Sequence, residues 1–232
     1  MNGNDNGPER RHSVASEVSL ISDETARAER EAKNGLLQFD LVRQAIEDGL
    51  AKGAEFRMRP SLLQTLHRAA LAGLSPYAGN WRPGDVEITG SKLKPVPAYL
   101  VAEQVEDMCD YVNSNWNTKS ALHLASYVMW RLNWIHPFSD GNGRTSRASS
   151  YCILCIKIGC VLPGTKAIPD FIVDNRDPYF VALEAADTAF AAGEIDVSKM
   201  EELLQSLLAK QLYGVLEAAG GALIASLSLP TP

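Results

Sequence analysis

Between His136 and Arg147 the chain reads HPFSDGNGRTSR: a histidine, a carboxylate, a Gly-Asn-Gly turn and two arginines, with almost nothing apolar between them. Each residue type suits one part of a single chemistry. The imidazole of His136 changes protonation near neutral pH and is suited to taking a proton from an incoming hydroxyl. Backbone N–H groups of the turn Ser139 to Gly143, with those of a following first helical turn, can form an anion hole. Arg144 and Arg147, three apart, lie on one side of such a helix and can grip a polyphosphate through charge-assisted bonds. Asp140 is a hard oxygen ligand, and Mg²⁺ is commonly held by one protein carboxylate together with substrate phosphate oxygens. A magnesium nucleotide, held while a hydroxyl is activated beside it, accounts for all of these residues.

Positioning them requires a helix on each side. SALHLASYVMWRLNWI has apolar residues recurring at three and four and leads straight into His136, where Pro137 stops it; Phe138 is placed to bury its ring and fix the loop. RASSYCILCIKIG, apolar on nearly every face, reads as the buried central helix. Upstream, Ser22 or Asp23 can cap a helix through ETARAEREAK. A second helix is predicted at once after it, with Leu36, Leu37, Phe39, Leu41, Val42, Ala45 and Ile46 as its buried stripe. PSLLQTLHRAAL, VAEQVEDMCDYVNSNW, DPYFVALEAADTAF and SKMEELLQSLLAKQLYGVLEAA are the remaining helices. Only the stretch from Trp81 to Leu100 reads differently: glycines and prolines spread through short β-branched runs, with VEIT alternating, predict a small β-hairpin. The fold class is therefore all-α, a helical bundle with one small hairpin.

Composition narrows the function classes. The 232 residues, 46% hydrophobic and 22% charged, suffice for one well-filled core. A net charge of -6, with no basic cluster beyond Arg10 and Arg11, argues against general nucleic-acid binding. The first residues lack the apolar run of a signal peptide, and YCILCIKIGCVL is too short to span a bilayer and carries Lys157, so a cytoplasmic protein without a membrane segment is expected. Cys109, Cys152, Cys155 and Cys160 read as reduced core residues, and the helical run holding three of them lacks the loop a structural zinc site needs. His12, His67 and His123 read as surface or locally bonded residues. Trp81, Trp116, Trp130 and Trp134 read as packing and flap anchors.

HPFSDGNGR with a second arginine three residues on resembles the Fic family signature, His-x-Phe-x-(Asp/Glu)-Gly-Asn-Gly-Arg-x-x-Arg, with every defining position filled. With the preceding hydrophobic helix, the hairpin and NRDPYFVAL, the resemblance runs from near Asn34 to near Leu212. It implies a Fic-type helical fold whose hairpin is a flap over the active site, and a protein adenylyltransferase using ATP and Mg²⁺. Carried over, it makes His136 the base for attack by a target Ser, Thr or Tyr on the α-phosphorus and Asp140 the Mg²⁺ ligand. Gly141, Asn142 and Gly143 would cradle the α- and β-phosphates, Arg144 would hold the β-phosphate and Arg147 the γ-phosphate. Asn175, Arg176 and Tyr179 lie on or before a predicted helix, and the resemblance implies that this helix borders the nucleotide site, with these residues supporting it without taking part in its chemistry. The target protein would align along the flap by strand addition. The oligomeric state, a dimer included, is left open.

Many Fic proteins also carry an inhibitory helix, Ser/Thr-x-x-x-Glu-Gly/Asn, whose glutamate pairs with the second motif arginine. Thr25 to Glu29 fits in spacing but is followed by Arg30, whereas Glu31 lies nearer Asn34 and the Fic core, so Glu29 and Glu31 are both candidates beside a plain solvated helix. The organisation expected is a leader over 1–17, a candidate inhibitory helix over 18–33, a catalytic domain over 34–215 and a tail over 216–232. Two other functions compete: transfer of another group (phosphate, another nucleotide or phosphocholine), and a non-enzymatic interaction module with a relict site. Gly143 disfavours the phosphate-transferring branch, which carries a bulkier residue there. The intact His136 disfavours the relict.

Overall fold

A helix with no polar face must be surrounded, and the fold is organised around that requirement. In the computed structural model, which describes residues 12–14, 20–91 and 93–227, the apolar segment forms α5 (Asn142–Ile158). It is enclosed by α1 (Glu24–Lys52), α2 (Pro60–Leu71), α4 (Ala121–Ile135) and α6 (Ile168–Asp174). Outside these, α3 (Val101–Ser114) lies on α4, while α7 (Asp177–Ala191) and α8 (Ser198–Leu227) pair with each other and cover its other side. Small hydroxyl residues let α5 be buried without orphaned donors: Thr145 Oγ1 donates to the Gly141 carbonyl at 3.0 Å, Ser149 to Thr145 at 2.7 Å and Ser150 to Ala125 on α4 at 2.8 Å.

The upstream region departs from expectation. Asp23 caps α1, its carboxylate accepting from the Ala26 N–H at 2.7 Å, but the two predicted helices are one continuous helix of 29 residues. Asn34 and Gly35 do not break it, because the Asn34 amide is buried against α2 and donates to the carbonyls of Ala70 and Ala72 at 3.2 and 2.9 Å. Those carbonyls sit at the end of α2, so the bond satisfies a helix terminus from another helix. The predicted stripe is corrected as well. Val42 and Ile46 are buried, whereas Leu36, Leu37 and Phe39 are 70%, 45% and 55% exposed, since α1 at that point is covered by α2 on one side only. Cys109, Cys152 and Cys155 are core residues, but Cys160 is exposed just past the end of α5.

In the flap, strand β2 (Glu87–Thr89) is followed by a turn at Gly90 and a return segment without ladder pairing among the described residues. The ladder partner of β2 is β1 (His12–Val14), antiparallel, from the stretch expected to be a leader. The rest of the 1–17 leader lies outside the described residues. The boundaries expected at 33/34 and 215/216 fall within α1 and α8.

Close approach of α1 to α5 depends on Gly49. A Cβ there would meet Ile156 Cδ1 and Cγ1 at 2.4 and 2.7 Å, inside the core. Overpacking of about 1–3 kcal/mol opposes the roughly 1 kcal/mol that alanine adds in a helix interior. Gly49→Ala is expected to lose up to about 2 kcal/mol in urea unfolding, with Ile156→Val recovering part of the loss in the double variant. An unchanged midpoint would contradict the tight contact.

Candidate active site

The loop from His136 to Gly141 joins two buried helices and is held by its own side chains. His136 caps α4 in the left-handed conformation (φ 54°, ψ 58°), the one non-glycine residue with positive φ among those described. Its N–H closes the helix on the Leu132 carbonyl at 2.9 Å, and Pro137 forbids continuation. Phe138 is wholly buried, stacked on the imidazole of His67 with centroids 3.7 Å apart and tilted against Trp81. The Asn142 amide binds the Phe138 backbone in both directions, accepting from its N–H at 2.9 Å and donating to its carbonyl at 2.7 Å. The Asn142 side chain thus fastens the loop.

Two residues that no motif marks hold this loop from outside. Arg82, almost fully buried, donates from its side chain to the His136 carbonyl (2.8 Å) and from its backbone N–H to the Pro137 carbonyl (2.9 Å). The same guanidinium also donates to the carbonyls of Gly84 and Val96, so one side chain joins the flap base to the histidine. His67 is buried on α2: the Gly79 N–H donates to its Nδ1 at 2.8 Å, which makes Nε2 the protonated nitrogen, and Nε2–H donates to the Asp140 carbonyl at 2.9 Å. Burial lowers its pKa to about 4, so the ring is neutral near pH 7. Gly141 (φ 75°) fits against this wall, where a Cβ would lie 2.4 Å from Leu71 Cδ2 and 3.2 Å from the His67 ring.

The candidate site residues line one cleft of about 400 Å³. His136 Nδ1–H donates to the Asn133 carbonyl at 3.2 Å, which leaves the ring's basic lone pair on Nε2. Asn133 is itself anchored, donating to Ser146 Oγ on α5 and the Tyr179 hydroxyl on α7 at 2.8 and 2.7 Å. The first turn of α5 brings Gly141, Asn142, Gly143, Arg144 and Arg147 to the cleft floor, with its N-terminal N–H groups and positive dipole end. Asp140 accepts from the Gly141 N–H at 2.6 Å and from Arg144 at 3.0 Å. Burial weakens the proton affinity of Arg147, an effect that Arg176 and Arg144 increase and the Tyr179 hydroxyl, bonded to it, opposes. Four arginines line the cleft (Arg27, Arg144, Arg147, Arg176) against two carboxylates, Glu31 and Asp140, in a chain of net charge -6. Such an excess, at a helix N-terminus, is an anion site.

The structure brings His136, Asp140, Asn142, both glycines and both motif arginines together, and adds Arg176 and Tyr179 to the lining. It separates the two glutamates. Glu31 lies in the cleft and pairs with Arg27 at 3.3 Å, whereas Glu29 is exposed and outside the lining. None of the four tryptophans lines the cleft; its ring-bearing wall is Tyr179, expected beside the site, and Phe180, which no motif singled out.

A helical bundle with a histidine-capped helix running into a glycine turn and an arginine-bearing helix is the Fic type of fold. Residues 57–154 match the Fic/DOC family. The chain is 35% identical over 118 residues to Protein adenylyltransferase Fic of Drosophila willistoni, covering 49% of this chain and 22% of that protein. It is 36% identical over 127 residues to Protein adenylyltransferase fic-1 of Caenorhabditis briggsae, covering 53% and 23%. The match thus spans less than a quarter of either relative's length. A Fic-domain-containing signaling protein from Bacteroides thetaiotaomicron superposes with a TM-score of 0.65 at 18% identity, over 87% of this chain and 76% of that one. Fic-1 (residues 134–508) of Caenorhabditis elegans does so with 0.61 at 22%, over 86% and 55%. At these identities the superpositions speak for the fold.

The position of His67 yields a test. His67→Leu removes the donor to Asp140 and the acceptor for Gly79, orphaning two buried backbone groups at a cost of about 2–4 kcal/mol. His67→Gln, which offers both a donor and an acceptor, should recover much of that loss in urea unfolding. A leucine variant as stable as wild type would show that the two bonds do not hold the loop.

Proposed function

We propose that the chain is a protein adenylyltransferase, moving AMP from ATP to a hydroxyl of a protein. The observation that carries this reading is the juxtaposition of His136, its basic lone pair on Nε2, with an arginine-rich anion cradle at the start of α5 in one cleft. Relatives named as protein adenylyltransferases over the same region support it. In the proposed step His136 Nε2 takes the proton of the acceptor hydroxyl as its oxygen bonds to the α-phosphorus. The bond from that phosphorus to the β-phosphate breaks, and pyrophosphate leaves. Arg144 and Arg147 hold the departing phosphates, the α5 N–H groups hold the α- and β-phosphates, and electrostatic positioning supplies most of the rate.

A divalent cation fits the donor set: among the described residues no group of three or more metal-binding side chains forms a closed cage, but the Asp140 carboxylate at the cleft can pair with phosphate oxygens. When bound, Mg²⁺ would neutralise charge developing between the phosphates. Asp140 would hold the cation, and Arg144, now paired with Asp140, would serve the β-phosphate. No helix among the described residues is long and apolar enough to cross a membrane, and protein targets reached at the flap are part of this proposal.

Glu31 is the proposed regulatory residue. Its carboxylate shares the cleft with Arg147 and competes with an anionic ligand for the same positive field, a competition that the exposed Glu29 cannot enter.

Two outcomes are expected. His136→Ala abolishes AMP transfer, read as label from α-labelled ATP on protein, while ATP affinity by calorimetry stays within about threefold, because the imidazole serves the hydroxyl proton and not the phosphates. Near-normal transfer by that variant would refute the mechanism. Second, Mg²⁺-ATP raises the melting temperature of Glu31→Gly by more than it raises that of wild type, since stabilisation grows with ligand concentration relative to Kd. Glu29→Gly should respond like wild type. The ligand-induced shift is the quantity to compare, because glycine in a helix lowers both baselines by about 1 kcal/mol.

A further inference from the structure

We propose that Asn133 and Tyr179 are positioning residues that tie the tautomer of His136 to the phosphate-binding end of the cleft; this rests on the adenylyl-transfer reading above. Neither belongs to the stretch from His136 to Arg147. The carbonyl that receives the His136 Nδ1–H, at 3.2 Å, is that of Asn133. In a continuing helix that carbonyl would be taken by the N–H four residues on, but the residue there is Pro137, which has none. The proline thus leaves an acceptor for the imidazole.

The side chain of the same residue holds that acceptor in place. The Asn133 amide donates back to the Met129 carbonyl at 2.7 Å, and across to the Tyr179 hydroxyl on α7 at 2.7 Å and Ser146 Oγ on α5 at 2.8 Å. Counting donors gives the direction of the remaining bonds. The Tyr179 oxygen also receives an N–H from Arg147, so its own proton goes to Ser146 Oγ at 3.3 Å, and Ser146 donates in turn to the Gly143 carbonyl at 3.1 Å. Tyr179 and Ser146 are buried, where an unmade bond is costly. The network therefore starts at the residue that orients the base and ends at Arg147 and Gly143, both on the anion-binding floor of the cleft. A nucleotide that engages Arg147 acts on the hydroxyl that steadies Asn133, and through it on which nitrogen of His136 is basic.

The test uses the full chain with ¹⁵N-labelled histidine, wild type beside Tyr179→Phe, Asn133→Ala and the double variant, with His136→Ala to assign the signal. Asn133→Ala keeps the backbone carbonyl and Tyr179→Phe keeps the buried ring; Asn133 is only half-buried, so its variant decides the matter where the other is unstable. At a pH where the ring is neutral, the imidazole shifts of wild type should show the proton on Nδ1, and those of either single variant a mixture of tautomers. Label transfer to protein from α-labelled ATP, at saturating Mg²⁺-ATP, should fall roughly ten- to hundredfold in each, while the ATP concentration giving half the maximal rate changes by less than about threefold. The double variant should be no slower than the worse single one, because both break the same connection. A wild-type rate and tautomer in the single variants, or a slower rate explained by weaker ATP binding with the tautomer unchanged, overturns the coupling and leaves the transferase reading standing. Absence of His136-dependent label from both wild type and Glu31→Gly overturns the transferase reading, and the coupling falls with it.

Discussion

The active-site loop depends on the amide of Asn142 closing on the backbone of Phe138. A chain leaving one buried helix and entering another within a few residues exposes the last carbonyls of the first and the first N–H groups of the second. Here the first residues of the second helix line the cleft, so the loop is stabilised largely by side chains. The two Asn142 bonds and the buried Phe138 ring close the loop. His67 and Arg82 then hold three of its carbonyls, those of Asp140 and His136 by side chain and that of Pro137 by backbone. The left-handed backbone of His136 is tolerated because these contacts over-determine it. That geometry in turn lets Nδ1 reach the Asn133 carbonyl and sets which nitrogen is basic.

Charge is distributed by the same logic. The surface is acidic overall, yet four arginines converge where α1, α5 and the start of α7 meet. Packing like charges together while excluding water is unfavourable, and burial and two neighbouring cations both act against the protonated form of Arg147. The Tyr179 hydroxyl, Asp140 and Glu31 offset part of this, each on a different arginine. An anionic ligand offsets it more completely, so the unfavourable field of the ligand-free cleft becomes binding energy. Glu31 is suited to modulation because its partner, Arg27, is on its own helix and both are well exposed; such a pair is worth little and is readily rearranged.

The candidate site was legible in the sequence because it is local: twelve consecutive residues carry the histidine, the carboxylate, the turn and both arginines, and the structure gathers them in one cleft. Helix identity was legible for the same reason, through periodicity and through Asp23, Pro60, Ser120 and Gly159 at the ends. What was not legible is tertiary. The continuity of α1 depends on carbonyls 36 and 38 residues away from Asn34, and propensity at Asn34-Gly35 pointed to a break. Leu36 and Phe39 look like core by pattern and are exposed because nothing described packs over them. His67 carries no motif, and its importance comes from an Asp140 carbonyl 73 residues downstream. Arg82 could have been suspected as an arginine in a glycine- and proline-rich stretch, but its acceptors are backbone carbonyls that only the fold collects. The β1–β2 register is a pairing between segments that neither sequence specifies alone.

That register also constrains how the flap can meet another protein. The hydrogen-bonding edge of β2 that takes β1 can take only one strand at a time, so the chain's own segment and an external target seated on that edge exclude each other. A three-residue, two-stranded ladder is marginal by itself, and strands this short are worth little unless their side chains also pack. The tether raises the local concentration of β1 but cannot lower that intrinsic ceiling. An external strand of five or six residues, making more backbone bonds and filling the face around Ile88, can therefore displace it by mass action without any separate release step. The segment preceding α2 thus meets the cleft region twice, β1 by pairing with β2, which carries Ile88 into the lining, and α1 by bringing Arg27 and Glu31 to it.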